Sequence, residues 1–154
     1  MLRNFCLKAM AAAAAPMLGL ALFGGVAIAD DMEHLALVER AANDVVTDAG
    51  AEGDSVGDVL TFANEMYDEA NKTMVGHDNG WCVRTAVAKA WECTFTVTLD
   101  GGQISVEGPF YDNGDSMMAV TGGTGDYARV RGEMMLRARD AEGSAYDFVF
   151  TMHR

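Results

Sequence analysis

Basic residues are scarce in this chain. Eleven Lys and Arg stand against 23 Asp and Glu, and two of the eleven, Arg3 and Lys8, precede every acidic residue. The residues after Ala29 therefore include nine basic and 23 acidic ones, a formal charge of −14. So acidic a surface repels phosphates, which excludes nucleic acid and anionic membrane as partners. Long apolar runs are missing after Ala29, so no later segment can cross a bilayer as a helix. Histidine is rare as well. His34, His77 and His153 lack metal-ligand spacing, and no Ser-His-Asp set is legible, so neither a metal nor a cofactor is expected. No internal repeat breaks the chain. By length, residues 30–154 form one domain, long enough to bury about two-thirds of its unfolded surface.

What is present begins with a leader. "MLRNFCLKAM" carries Arg3 and Lys8, "AAAAAPMLGLALFGGVA" is apolar, and "AIA" at Ala27–Ala29 meets Asp30 and Asp31. This is the pattern of a secretory signal peptide over residues 1–29. A retained transmembrane anchor is the alternative; Pro16 and three glycines interrupting the run speak against it. The expectation is export to the periplasm or the medium with no stable membrane anchor. Cys6 leaves with the leader. Cys82 and Cys93 remain, an even number suited to an oxidising compartment.

The exported part reads as strands. "VLTFANEMY" puts Leu60, Phe62, Asn64 and Met66 on one face, and "WECTFTVTL" puts Trp91, Cys93, Phe95, Val97 and Leu99 opposite Glu92 and three threonines. "QISVEGPF", "SMMAVTGG", "RGEMMLRARD" and "SAYDFVFTM" continue the two-residue period, and Gly, Asp and Asn clusters separate them. Asp48–Asp58 is a long acidic, glycine-rich loop, and a single helical turn is expected in "DEANKT". About eight strands with one apolar face each predict an all-β, antiparallel architecture. A closed barrel, which removes exposed edges, is the first expectation and a sandwich the second.

Glycine-rich and acidic motifs yield little chemistry. "TGGTGD" (Thr121–Asp126) lacks the Lys-Ser/Thr and the subsequent helix of a phosphate loop, so its glycines shape a turn between strands. "YDNGDS" and "DAGAEGD" lack the alternating oxygen ligands, sixth-position Gly and closing Glu of a calcium loop. Asn71-Lys72-Thr73 fits a glycosylation sequon, a pattern too short to discriminate.

Polar residues on inward faces are more informative. Glu39 shares a face with Leu35 and Leu37, and Asn64 sits between Phe62 and Met66. An unpartnered carboxyl there has its neutral form favoured by desolvation. Two readings stay open for Glu39: an inward site group, or a strand-end residue in water or paired with an arginine, for which Arg84 is the candidate. Cys82 and Cys93 are equidistant from the centre of Ala86–Lys89. If those four residues form the turn, the cysteines are direct cross-strand partners on one face, placed for a disulfide, and Arg84 falls opposite Trp91. A one-residue change of turn length would leave two free thiols instead.

"GDSVGDVLTFANEMY", "VGHDNGWCV", "GGQISVEGPF" and "MMAVTGGTGDYARVRGEMML" together resemble the allene oxide cyclase barrel family and its dirigent relatives, over about Val38 to Met152. The resemblance implies an eight-stranded antiparallel barrel of calycin type, often homo-oligomeric, with an apolar cavity for a small hydrophobic molecule. It implies an isomerase that closes a ring intramolecularly. The family's cavity glutamate falls on Glu39, its cavity cysteine on Cys82, and its water-holding asparagine on Asn64. Ala41 and Phe110 stand where the plant enzymes carry asparagine and tyrosine. In such an enzyme Glu39 would stabilise developing positive charge, Asn64 would position an oxygen or a water, and Phe62, Trp91, Phe95 and Phe110 would line the cavity and fold the substrate. The alternatives are a non-catalytic carrier, a dirigent-like protein, or a structural envelope barrel packed shut.

Overall fold

A computed structural model describes residues 32–154; the leader and its expected cleavage point at Ala29 lie outside the described residues. Nine strands run in order: β1 Glu33–Arg40, β2 Val45–Thr47, β3 Val59–Asp68, β4 Met74–Ala86, β5 Ala90–Leu99, β6 Gly102–Tyr111, β7 Ser116–Gly123, β8 Arg131–Ala138 and β9 Ala145–His153. All pairings are antiparallel. From β3 to β9 each strand pairs with the next, and β1 closes the circle by pairing with both β9 and β3. Eight strands thus form a closed barrel, which settles the choice against a sandwich. The short β2 is an extra strand that continues along the same edge of β3, opposite Val59–Thr61, where β1 pairs with Glu65–Asp68.

The two-residue period explains this closure. On β5, Trp91, Cys93, Phe95 and Val97 are buried while Glu92 faces water. One apolar face per strand needs one shared interior, and curling the sheet on itself supplies it without leaving edges. The β4–β5 hairpin has the expected register: Cys82 lies opposite Cys93 and Arg84 opposite Trp91, with the strand irregular between Arg84 and Ala86. The Cys82–Cys93 disulfide is formed. A disulfide is compatible with an exported protein.

The helical turn lies elsewhere than expected. In "DEANKT" the chain makes the β3–β4 turn, because Asp68 Oδ1 accepts the Lys72 N–H at 2.7 Å and Asn71 takes φ 55°. An Asx turn of this kind competes with helix for the same backbone groups. The one turn of 3₁₀ helix among the described residues is Gly125–Tyr127, inside the "TGGTGD" connection between β7 and β8.

The two ends of the barrel differ. Where β3, β5 and β9 finish, Met66, Val97, Phe150 and Met152 meet Ile104, Val106, Val120 and Met134, and none is more than 2 % exposed. That end is packed solid. At the opposite end the interior widens, and there the site lies.

Candidate functional site

The open end holds a narrow slot whose cavity volume is about 50 Å³. Phe62, Phe95, Phe110, Tyr146 and Phe148 form its aromatic walls, Leu60, Met118 and Leu136 complete the apolar lining, and the Cys82–Cys93 disulfide lies against it. Phe62 and Phe95 meet edge to face at 5.7 Å, and Phe110 and Tyr146 at 5.8 Å. Gly80 makes the first pair possible. It lies between them in the register, and a Cβ there would collide with the Phe95 backbone and Cβ and with the Thr94 carbonyl. A small residue lets the two rings close over the strand.

Two carboxyls enter this apolar wall. Glu39 comes from the end of β1 and Asp44 from the segment just after it. Glu39 is 6 % exposed, and no arginine reaches it. Its partner is Asn64, whose Nδ2 donates to Glu39 Oε1 at 2.9 Å and to Asp44 Oδ1 at 2.8 Å. Asn64 Oδ1 accepts the Ala42 and Asn43 N–H groups at 3.0 and 2.9 Å. The amide is therefore fully engaged. It has no group left to hold a water in the slot, and it acts by fixing the two carboxyls and the backbone after β1.

Behind Glu39 stands Asp78 on β4, fully buried. Its Oδ1 accepts the Asn64 N–H at 3.2 Å, while Oδ2 has no N–H or O–H donor. The group within its reach is the Glu39 carboxyl. Two buried carboxyls side by side disfavour a second negative charge. Burial, then the Asp78 charge, pushes Glu39 well above the usual carboxylate range. Burial likewise raises Asp78, to about 7, although the neighbouring Glu39 carboxyl works the other way. Both groups thus bind a proton more tightly than an exposed carboxyl does, and Glu39 is the one at the slot wall. Burial also pushes the Tyr146 phenol up, so it remains a neutral hydroxyl.

Sequence reasoning placed Glu39, Phe62, Cys82, Phe95 and Phe110 on inward faces, and all five line the slot. Trp91 does not. It lines a separate surface cleft with Arg84, Asp54 and Asp112. Nor does Arg84 serve Glu39. Its Nη1 donates to both oxygens of Asp112 at 2.7 Å. Nε lies 2.6 Å from Asp54 Oδ1, an ion pair without hydrogen-bond alignment. The guanidinium carbon sits 4.0 Å over the Trp91 ring. Loop aspartates are nearer to Arg84 than Glu39 is, and they capture it. With Cys82 in the disulfide, no free thiol faces the slot. Asp78 and Asp44 were missed. Counting back in twos from Cys82 gives Gly80 and Asp78, so the phase was present for one of them. Among the described residues no group of three or more His, Cys, Asp or Glu is placed to hold a metal ion.

Known proteins share this architecture. Among solved structures, a pyocyanin demethylase superposes with a TM-score of 0.67 at 28% identity, covering 77% of this chain and 100% of that one. A pterocarpan synthase dirigent protein gives 0.68 at 16% identity, over 80% and 96% of the two chains. An exo-specific intermolecular Diels-Alderase gives 0.60 at 16%, over 80% and 99%. The allene oxide cyclase family model matches residues 33–139, from the first strand to the end of the eighth. On that match, and with the closed barrel that carries it, the chain belongs to the allene oxide cyclase family.

Proposed function

We propose that this exported barrel binds a small hydrophobic molecule in the aromatic slot and steers its cyclisation or isomerisation by moving a proton through Glu39. One observation carries the reading: the buried Glu39 carboxyl, with Asp78 behind it, opens onto a slot walled mostly by apolar and aromatic side chains. The walls hold the ligand in one reactive conformer, the larger share of such catalysis. Glu39 gives its proton to one atom of the bound molecule and recovers a proton from another as the product forms, so the carboxyl ends as it began. Asn64 is a positioning residue that fixes the Glu39 carboxyl. The similar structures include a demethylase, a dirigent protein and a Diels-Alderase, so the barrel accommodates more than one reaction and fold alone does not choose among them.

The test has two parts. A neutral hydrophobic fluorophore should bind saturably at one site, and Leu136→Trp, which fills the slot, should abolish that binding. Mass spectrometry of the small molecule that copurifies with the protein supplies the compound for turnover, with products resolved by chiral chromatography. Glu39→Gln should still bind it, change stability by no more than about 1 kcal/mol, and lose both turnover and product bias. Absence of saturable binding overturns the slot. Unchanged turnover in Glu39→Gln overturns the proton-moving role, and binding without any turnover in the wild type makes the protein a carrier.

A further inference from the structure

The acidic groups of the slot have no cation to balance them. Glu39 and Asp44 line it and Asp78 stands behind, yet no Lys, Arg or His is among the lining residues. The nearest arginines are committed elsewhere. Arg40 donates from Nε to Asn71 Oδ1 at 2.8 Å and lies over Tyr67, on the outside of the barrel. Arg84 is held by Asp112, Asp54 and Trp91. The groups facing Glu39 from each neighbouring element are Asn64 on β3, Asp78 on β4, Tyr146 on β9 and Asp44 after β1, and Asp140 in the β8–β9 turn faces Tyr146. None of them can be positively charged. Asp78 Oδ2, in a residue with no exposed surface, is left without a donor.

We infer that the slot selects hydrophobic molecules that carry a positive charge, such as aryl-ammonium or heteroaromatic cations. The inference rests on the reading of the slot as a binding site. Five aromatic residues line the slot, where a cation gains from their rings, and carboxyls at the wall offer the counter-charge. A cation seated against Glu39 supplies what the buried pair lacks. The pair then releases its proton to solvent, and Glu39 becomes a carboxylate beside the bound molecule. Arrival of the ligand would thus create the base needed to remove a proton that the ligand's own charge has made acidic. A molecule with a carboxylate would meet the opposite situation, a third buried acid with no partner.

Isosteric probes test this directly. Phenyltrimethylammonium and tert-butylbenzene have nearly the same shape and differ in charge. Titration calorimetry of the protein at pH 6 and pH 8, in two buffers of different ionisation enthalpy, should show the cation binding at least about tenfold tighter, a difference of about 1.4 kcal/mol. Its affinity should rise with pH, and its heat should depend on the buffer as a proton leaves. tert-Butylbenzene should show neither dependence. Asp78→Asn should bind tert-butylbenzene as the wild type does, which reports an intact slot, while losing most of the cation preference and the buffer dependence. If tert-butylbenzene binds as tightly as the cation, or the cation binds without proton release, the inference is overturned and the slot reading stands. If neither probe binds, both fall.

Discussion

Asp78→Asn isolates the buried acid pair. The amide keeps an oxygen to accept the Asn64 N–H, 3.2 Å away in the wild type, and turns an N–H toward Glu39. In the folded protein Asp78 titrates at about 7, whereas an unfolded aspartate titrates at about 3.9. Between those values the folded state binds more protons than the unfolded one, so stability falls as pH rises. Integrating one such site gives a loss of about 3 kcal/mol from pH 5 to pH 8, within a total of about 4 kcal/mol. Glu39, raised chiefly by burial, acts in the same direction from the ordinary carboxylate range upward. Three other carboxyls are shifted the opposite way. The Ser55 N–H holds Asp58 low, the Lys72 N–H holds Asp68 low, and the Ser144 hydroxyl holds Asp140 low. Their contributions are complete above the ordinary carboxylate range and are lost only on acidification below it, so they stay constant from pH 5 to 8. Urea unfolding followed by tryptophan fluorescence at pH 5, 6, 7 and 8 should show stability falling steeply across the series in the wild type and less steeply in Asp78→Asn, where only the buried Glu39 still titrates high. The variant should be the more stable protein at pH 8. Parallel curves for the two proteins would refute the reasoning, because they would mean that Asp78 ionises in the barrel at no cost.

Two further substitutions test the open end of the barrel. Arg84→Leu keeps an apolar contact on Trp91 but leaves Asp54 and Asp112 without their cation; because the Asp54 side chain is 37% exposed, the expected loss is about 2 kcal/mol. Limited proteolysis should cut the Asp48–Asp58 loop faster in that variant, and an unchanged cleavage rate would show that the ion pair does not hold the loop. Replacing both Cys82 and Cys93 by alanine, 11 positions apart, should cost about 3 kcal/mol in urea unfolding through lost loop-closure entropy. Thiol counting on the unreduced protein should find neither cysteine free, and two free thiols would overturn the bridge.

What the sequence determined by itself is the part of the molecule governed by period and symmetry. Alternating residues fixed the strands and their inward faces, since a strand with one apolar side has one way to bury it. The equal distance of Cys82 and Cys93 from the centre of Ala86–Lys89 fixed the hairpin register, and with it the disulfide and the Arg84–Trp91 stack. Glu39 and Asn64 were visible because each interrupts an apolar face. Asp78 was less so, because "HDNG" is polar on both faces and only the phase counted back from Cys82 marks it as inward. Which residues then meet across the interior was decided by the tertiary structure alone. Closing β1 onto β3 brought Glu39 and Asn64 together, with Asp78 from the next strand and Asp44 from a connection that has no period to read. The loop aspartates drew Arg84 away from Glu39 and Trp91 away from the slot. The physical reason is range. Alternation is a property of a few consecutive residues, whereas the raised proton affinity of Glu39 and Asp78 arises only because a closed barrel removes water and cations from both at once.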